Sequence, residues 1–152
     1  MNNIFNEDFR DFIECFNKQK VEYVLVGGMA VILNGCLRTT GDMDVWVKKS
    51  PENYLRITKS FLKFGMPLFD MSLEGFMGEL DVWSFGRDPV RIDLMTKVKG
   101  LDFDEVFELA QYYTEEEVTF RFLHLNSLIK AKKASARHRD LDDIEQLSKN
   151  NS

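Results

Sequence analysis

The chain has few metal-binding or cross-linking side chains. Among its 152 residues are two cysteines, Cys15 and Cys36, and two histidines, and neither pair has zinc-site spacing. Both cysteines fall in stretches that read as apolar helix faces, so reduced core thiols in a cytosolic setting are expected, not a disulfide. No apolar run approaches the roughly 18 residues of a membrane span. The polar start, with Asn2, Asn3, Glu7 and Asp8, lacks the basic and then apolar pattern of a secretory signal. Neither membrane insertion nor export is expected on this reading. A basic excess is also missing: 20 Lys+Arg against 25 Asp+Glu give a formal charge of -5, which argues against an extended nucleic-acid footprint and leaves room only for a local basic patch. Neither a P-loop segment, Gly-x-x-x-x-Gly-Lys-Ser/Thr, nor a dinucleotide-binding Gly-x-Gly-x-x-Gly occurs. Repeats, linkers and low-complexity blocks are absent as well. The length suits one domain, taken as residues 1–152.

What is present is enough apolar material for one core, 44% of the residues with thirteen Phe among them. Phe5, Phe9, Phe12, Ile13 and Phe16 recur at helical spacing and predict an amphipathic helix ending near Lys20. Val21 to Val26 reads as a buried strand that stops at Gly27-Gly28, followed by a short helix from Met29 to Leu33 closed by Asn34-Gly35. Asp42 to Val47 alternates acidic and apolar residues. Ser50-Pro51 opens a helix running to Phe64 and stopped by Gly65. Residues 66 to 78 carry no clear pattern. Leu80 to Phe85 and Val90 to Met95 predict a hairpin joined by Gly86-Arg87-Asp88-Pro89. A helix over about 102–110, a strand over about 117–122 and two helices, one capped by Asn126 and one starting near His138, complete the chain. This order predicts an α/β (α+β) class with a mixed sheet of four or five strands flanked by helices.

The chemistry concentrates on a few acids. On a strand, Asp42 and Asp44 project to one side while Met43, Val45 and Val47 face the other, into the core. Two carboxylates sharing one small space raise each other's pKa, and such a pair suits a bound cation or a shared proton. A hard divalent ion such as magnesium, or manganese, is the natural partner because it takes oxygen ligands and keeps waters that phosphates can replace. Asp93 sits mid-strand between Ile92 and Leu94. Beside the first strand it would complete a three-carboxylate cluster able to hold two metal ions. Asp81 is the rival third acid, and Asp93 is preferred because its strand is the more continuously apolar. Gly27 and Gly28 would let the backbone approach a phosphate closely. Lys130, Lys132, Lys133, Arg137, His138 and Arg139 form the chain's one dense basic run, and Lys130 is the candidate to hold nucleotide phosphates as a point charge. His124 reads as a structural histidine.

These residues resemble the nucleotidyltransferase superfamily related to DNA polymerase beta, in its small bacterial members. The resemblance rests on Val26-Gly27-Gly28-Met29-Ala30, on Arg38-Thr39-Thr40-Gly41-Asp42-Met43-Asp44 and on Ile92-Asp93-Leu94. Residues 23 to 47 look like the group that includes abortive-infection toxins of the AbiE type, with Arg38 and Thr40 in the places where that group carries an arginine and a threonine. A similar tail motif appears as Ser127-Leu128-Ile129-Lys130 and Arg137-His138-Arg139-Asp140. The chain departs at Gly28, where catalytic members often carry a serine whose hydroxyl touches a phosphate.

The resemblance implies a nucleotidyltransferase fold and the metal-dependent transfer of a nucleoside monophosphate from a nucleoside triphosphate to an unknown acceptor hydroxyl. In that scheme Asp42, Asp44 and Asp93 hold the metal and carry catalysis, while Gly27, Gly28, Arg38, Thr40 and Lys130 bind the nucleotide. The alternative is a catalytically degenerate nucleotide- or partner-binding module with a protein partner, as in a bacterial toxin–antitoxin pair. An antibiotic-modifying transferase is disfavoured, because the residues after Asp93 look too few for a substrate-binding subdomain.

Overall fold

Asn6 starts the first helix by accepting a hydrogen bond from the Phe9 amide at 2.8 Å, and Glu7 and Asp8 lie in the first turn, where the helix dipole favours them. The computed structural model describes residues 4–35, 41–68, 71–78, 81–87, 90–135, 145 and 147. Along these the elements are α1 (Glu7–Lys18), β1 (Tyr23–Val26), α2 (Gly27–Leu33), β2 (Asp42–Val47), α3 (Pro51–Phe64), α4 (Leu73–Met77), β3 (Val82–Arg87), β4 (Val90–Met95), α5 (Phe103–Leu109), β5 (Gln111–Glu115), β6 (Val118–Phe122) and α6 (Leu125–Ser135). Among the described residues no helix is long and apolar enough to cross a membrane.

The strands form one mixed sheet in the order β3-β4-β2-β1-β6-β5. β1 is antiparallel to β2 and parallel to β6, and β2 is parallel to β4. Alternation along the strands sorts the side chains onto two faces. Met43, Val45, Val47, Ile92, Leu94 and Phe120 join Phe9, Phe12, Phe16, Ile57 and Phe61 in the larger core, so α1 and α3 cover that face. Phe12 meets Phe61 edge to face with centroids 5.4 Å apart. Val24, Val26 and Trp46 point the other way and pack with Val106 of α5 and Leu128 of α6. Asp42 and Asp44 have the parity of Trp46, so they share this second, thinner side.

One buried side chain fixes α3 across the two central strands. Asn53 accepts from the Glu22 amide at 2.8 Å and donates to the carbonyls of Glu22 at 3.1 Å and Lys48 at 2.9 Å. All three groups flank strand ends, so its three bonds tie the start of β1 to the end of β2.

Several sequence expectations needed correction. The sheet has six strands among the described residues, not four or five, because β5 gave no signal. It is an edge strand with mostly exposed residues, so it lacks alternation, and its turn to β6 places Glu116 and Glu117 at φ 48° and 67° without a glycine or asparagine to announce it. A buried anchor holds the turn's first strand. Glu115 accepts from the amides of Ile4 at 2.6 Å and Phe5 at 3.1 Å, from the Tyr113 hydroxyl at 3.0 Å and from Arg10 at 3.2 Å. The hairpin strand β3 runs on through Gly86 and Arg87, which pair with Arg91 and Val90, so these two residues are not loop. Residues 66 to 78 include α4, capped by Ser72 accepting from Gly75 at 3.0 Å. α6 begins one residue earlier than Asn126, and His124 supplies the cap: its Nδ1 accepts from the Asn126 amide at 3.1 Å. Cys15 is a free, half-buried thiol on α1. Cys36 and the helix expected near His138 lie outside the described residues.

Candidate active site

The parallel pairing of β2 with β4 decides which acids meet. Asp44 is registered against Asp93, and Asp42 against Arg91. Because paired strands lie about 4.8 Å apart, the two carboxylates rise side by side from one face. Asp81 does not join them. It precedes β3, where its main-chain carbonyl accepts from the Thr96 amide at 2.9 Å, whereas the β3 residue opposite Asp93 is Ser84.

Crowding shows in the chemistry of Asp44. Burial pushes its carboxyl up from the ordinary 3.8 to about 6; the negative charges of Asp93 and Asp42 and a hydrogen bond shared with Asp93 push the same way, against Arg91. Arg91 contacts Asp93 Oδ1 through Nε at 3.4 Å. Its positive charge thus sits on one member of the pair.

Gly27 closes the site from β1, whose last residue, Val26, is registered against Asp44. Gly27 has φ +64°, and a Cβ there would stand 2.1 Å from Asp44 Oδ2. The position therefore requires glycine twice over, for its backbone and for the room it leaves the carboxylate. Gly28 is buried in α2, a helix of seven residues.

A cavity of about 240 Å³ opens beside Asp44, lined by Gly27, Met95, Lys99, Leu128 and Lys132 among others. Lys132 is buried, at 8% exposure. Lys130 is exposed and outside this lining. The difference is one of helix phase: Lys132 lies four residues after buried Leu128 on the same face of α6, and Lys130 lies two after it, on the opposite side. The spacing from Leu128 carried that signal, whereas the basic run and the tail motif Ser127-Leu128-Ile129-Lys130 point to Lys130. Lys99 and Arg91 were missed outright, since an exposed lysine in a loop and an arginine next to a strand acid have no pattern of their own. Arg38 and Thr40 lie outside the described residues.

The donor set suits a hard divalent cation. The acids offer only oxygen ligands, and their mutual repulsion is what a cation would relieve. Among the described residues, no group of three or more His, Cys, Asp or Glu side chains is placed to hold an ion. An ion here would rest on one or two carboxylates, with waters or phosphate oxygens completing its shell, which is how magnesium is commonly held.

Solved structures share this architecture. The chain is similar to TM1012 of Thermotoga maritima, a proposed nucleotidyltransferase, with TM-score 0.61 and 14% identity over 93% of this chain and 90% of that one. It is similar to the lincosamide antibiotic adenylyltransferase LnuA, solved with lincomycin bound, with TM-score 0.60 and 14% identity over 97% and 98%. JHP933 of Helicobacter pylori gives TM-score 0.51 and 15% identity over 95% of this chain and 65% of that one. At these identities the likeness is one of fold. The match covers 98% of LnuA, so that adenylyltransferase carries almost no chain beyond the span matched here. No curated protein matches the sequence at a significant level. The family model that does match extends over residues 7–150, nearly the full chain, and the chain belongs to the family described as nucleotidyltransferase of unknown function (DUF6036).

Proposed function

We propose that the protein transfers a nucleoside monophosphate from a nucleoside triphosphate to an acceptor hydroxyl, using divalent metal held on one or two of the carboxylates Asp42, Asp44 and Asp93. The pairing of Asp44 with Asp93 beneath Gly27 carries this reading, because two crowded carboxylates at a glycine turn favour a cation and leave space for phosphate. Membership of a nucleotidyltransferase family supports the general reaction. When bound, the metal would supply charge neutralisation at the phosphates and lower the pKa of the attacking group. The acceptor oxygen attacks the α-phosphorus, the bond to the β-phosphate bridge breaks, and pyrophosphate leaves. Asp93 takes the proton of the attacking hydroxyl.

Lys132 and Lys99 provide positive charge at the cavity beside Asp44, and the phosphate role expected for Lys130 is assigned here to Lys132. Gly28 has no hydroxyl, so contact at this turn is by backbone amides alone. The test is transfer of label from α-labelled triphosphates, all four in turn, with magnesium or manganese. Metal-dependent labelling that disappears in Asp93→Asn supports the reading. Absence of both labelling and metal-dependent triphosphate binding would leave the alternative, a partner-binding module that keeps only the fold.

A further inference from the structure

A larger cavity, of about 660 Å³, lies at the other end of β1 from Asp44. Its lining includes Tyr23, the first residue of β1, whereas Gly27 follows the last, so the two sites are separated by roughly 10 Å of strand. The volume is that of a small-molecule site. Arg121 is the centre of its chemistry. It alternates along β6 with Phe120 and Phe122, which enter the larger core, so its side chain emerges on the α5 side. The guanidinium carbon stands 4.2 Å from the Phe107 ring centroid, 5.3 Å from that of Tyr23 and 5.7 Å from that of Tyr112.

Aromatic packing occupies the faces of a guanidinium but leaves its in-plane N–H groups needing acceptors. Nη1 donates to the Tyr23 carbonyl at 3.2 Å. Nε is buried and has no acceptor among the described residues. Among the described residues Arg121 forms no ion pair, although Glu14, Glu22 and Glu117 line the same cavity; Glu14 is instead paired with Lys18 at 2.7 Å. A buried donor left unpaired is costly, on the order of 1–3 kcal/mol. The Nε side of an arginine is one half of the fork that grips a carboxylate or phosphate with two parallel bonds. Tyr112, 62% exposed, adds an aromatic ring to the lining.

We propose that this cavity binds a small organic anion, a flat apolar body carrying a carboxylate or phosphate, with Arg121 gripping the anion and Tyr112 and Phe107 flanking the body. The site is distinct from the acid cluster. It is tested by titration calorimetry on the full chain with benzoate, phenyl phosphate, inorganic phosphate and neutral benzamide.

Benzoate or phenyl phosphate is expected to bind saturably, and which of the two binds tighter identifies the anion as carboxylate or phosphate. Arg121→Lys, which keeps the charge and loses the fork, is expected to weaken that binding about tenfold or more. Tyr112→Ala changes an exposed side chain that is safe for folding, and it is expected to weaken binding of the aromatic probes in the same direction. Adding magnesium and a non-hydrolysable triphosphate is expected not to displace them. The proposal is overturned if no probe binds, if benzamide binds as well as benzoate, or if inorganic phosphate binds as tightly as phenyl phosphate. It is equally overturned if neither variant changes affinity, or if magnesium and triphosphate compete, which would put the probe at the acids.

Discussion

Replacing Asp44 by asparagine keeps the side chain's size and removes its charge from the crowded face. In the metal-free protein the Asp44 carboxyl is pushed up from 3.8 to about 6 by burial and by Asp93 and Asp42, so the folded state binds its proton more tightly than the unfolded chain does. The sign follows directly. Between those two values the native state holds more protons, so the stability contributed by this group is present in acid and is lost as pH rises through about 6. The interval corresponds to on the order of 3 kcal/mol at neutral pH, an upper figure because neighbours relax and water reaches part of the site. Asp44→Asn is therefore expected to be more stable than the parent by about 1–3 kcal/mol near pH 7.5 without metal, with the two curves converging near pH 4. Urea unfolding midpoints across that range, in chelator, measure the difference. With magnesium the order should reverse, because only the parent gains a ligand. A parent and variant with parallel pH curves, or a variant less stable than its parent at neutral pH without metal, would show that Asp44 is not crowded and would refute the reasoning.

Gly27→Ala should destabilise by on the order of 2–4 kcal/mol, from a left-handed backbone and a Cβ driven into Asp44 Oδ2, and urea unfolding with and without magnesium should show the metal response lost as well. Lys132→Ala should weaken metal-dependent triphosphate binding about tenfold while Lys130→Ala leaves it nearly unchanged, as read by titration calorimetry. Equal effects of the two would mean that the basic run acts only as a diffuse field. Glu115→Ala should cost about 3–5 kcal/mol by stranding Arg10, Tyr113 and the Ile4 and Phe5 amides. Burial raises the Glu115 pKa, but the bonds from Ile4, Tyr113, Phe5 and Arg10 outweigh it and hold it below 4.5; this stabilisation is thus present above 4.5 and lost as pH falls through the lower folded value, where acid unfolding of parent and variant should converge.

The central part of the fold was legible because its signals are local. Ser50-Pro51 and Gly65 mark α3 at both ends, and β2 shows its two faces in the alternation of Asp42-Met43-Asp44-Val45. The placement of Asp93 beside Asp44 was legible as a preference, and the register of β2 with β4 explains why: only the more apolar strand of the hairpin pairs with β2. What escaped is what tertiary context decides. β5 is stabilised by pairing with β6 and by the Glu115 anchor, neither of which leaves a periodic mark. Lys132 acquires its place from the phase of α6, which becomes readable once Leu128 is known to face the sheet. The closeness of Gly27 to Asp44 is a contact across antiparallel strands, and the sequence suggested only a turn.

The most direct measurement is binding of a non-hydrolysable nucleoside triphosphate to the parent, Asp93→Asn and Asp81→Asn, each with magnesium and in chelator, followed by calorimetry and by thermal unfolding. Ligand at about 100 times its dissociation constant should stabilise the parent by roughly 2.7 kcal/mol. Binding is expected to require magnesium, to survive Asp81→Asn and to be lost in Asp93→Asn. Triphosphate binding that is the same in chelator, or that persists in Asp93→Asn and fails in Asp81→Asn, would contradict the assignment of the Asp44–Asp93 face as the metal-dependent nucleotide site.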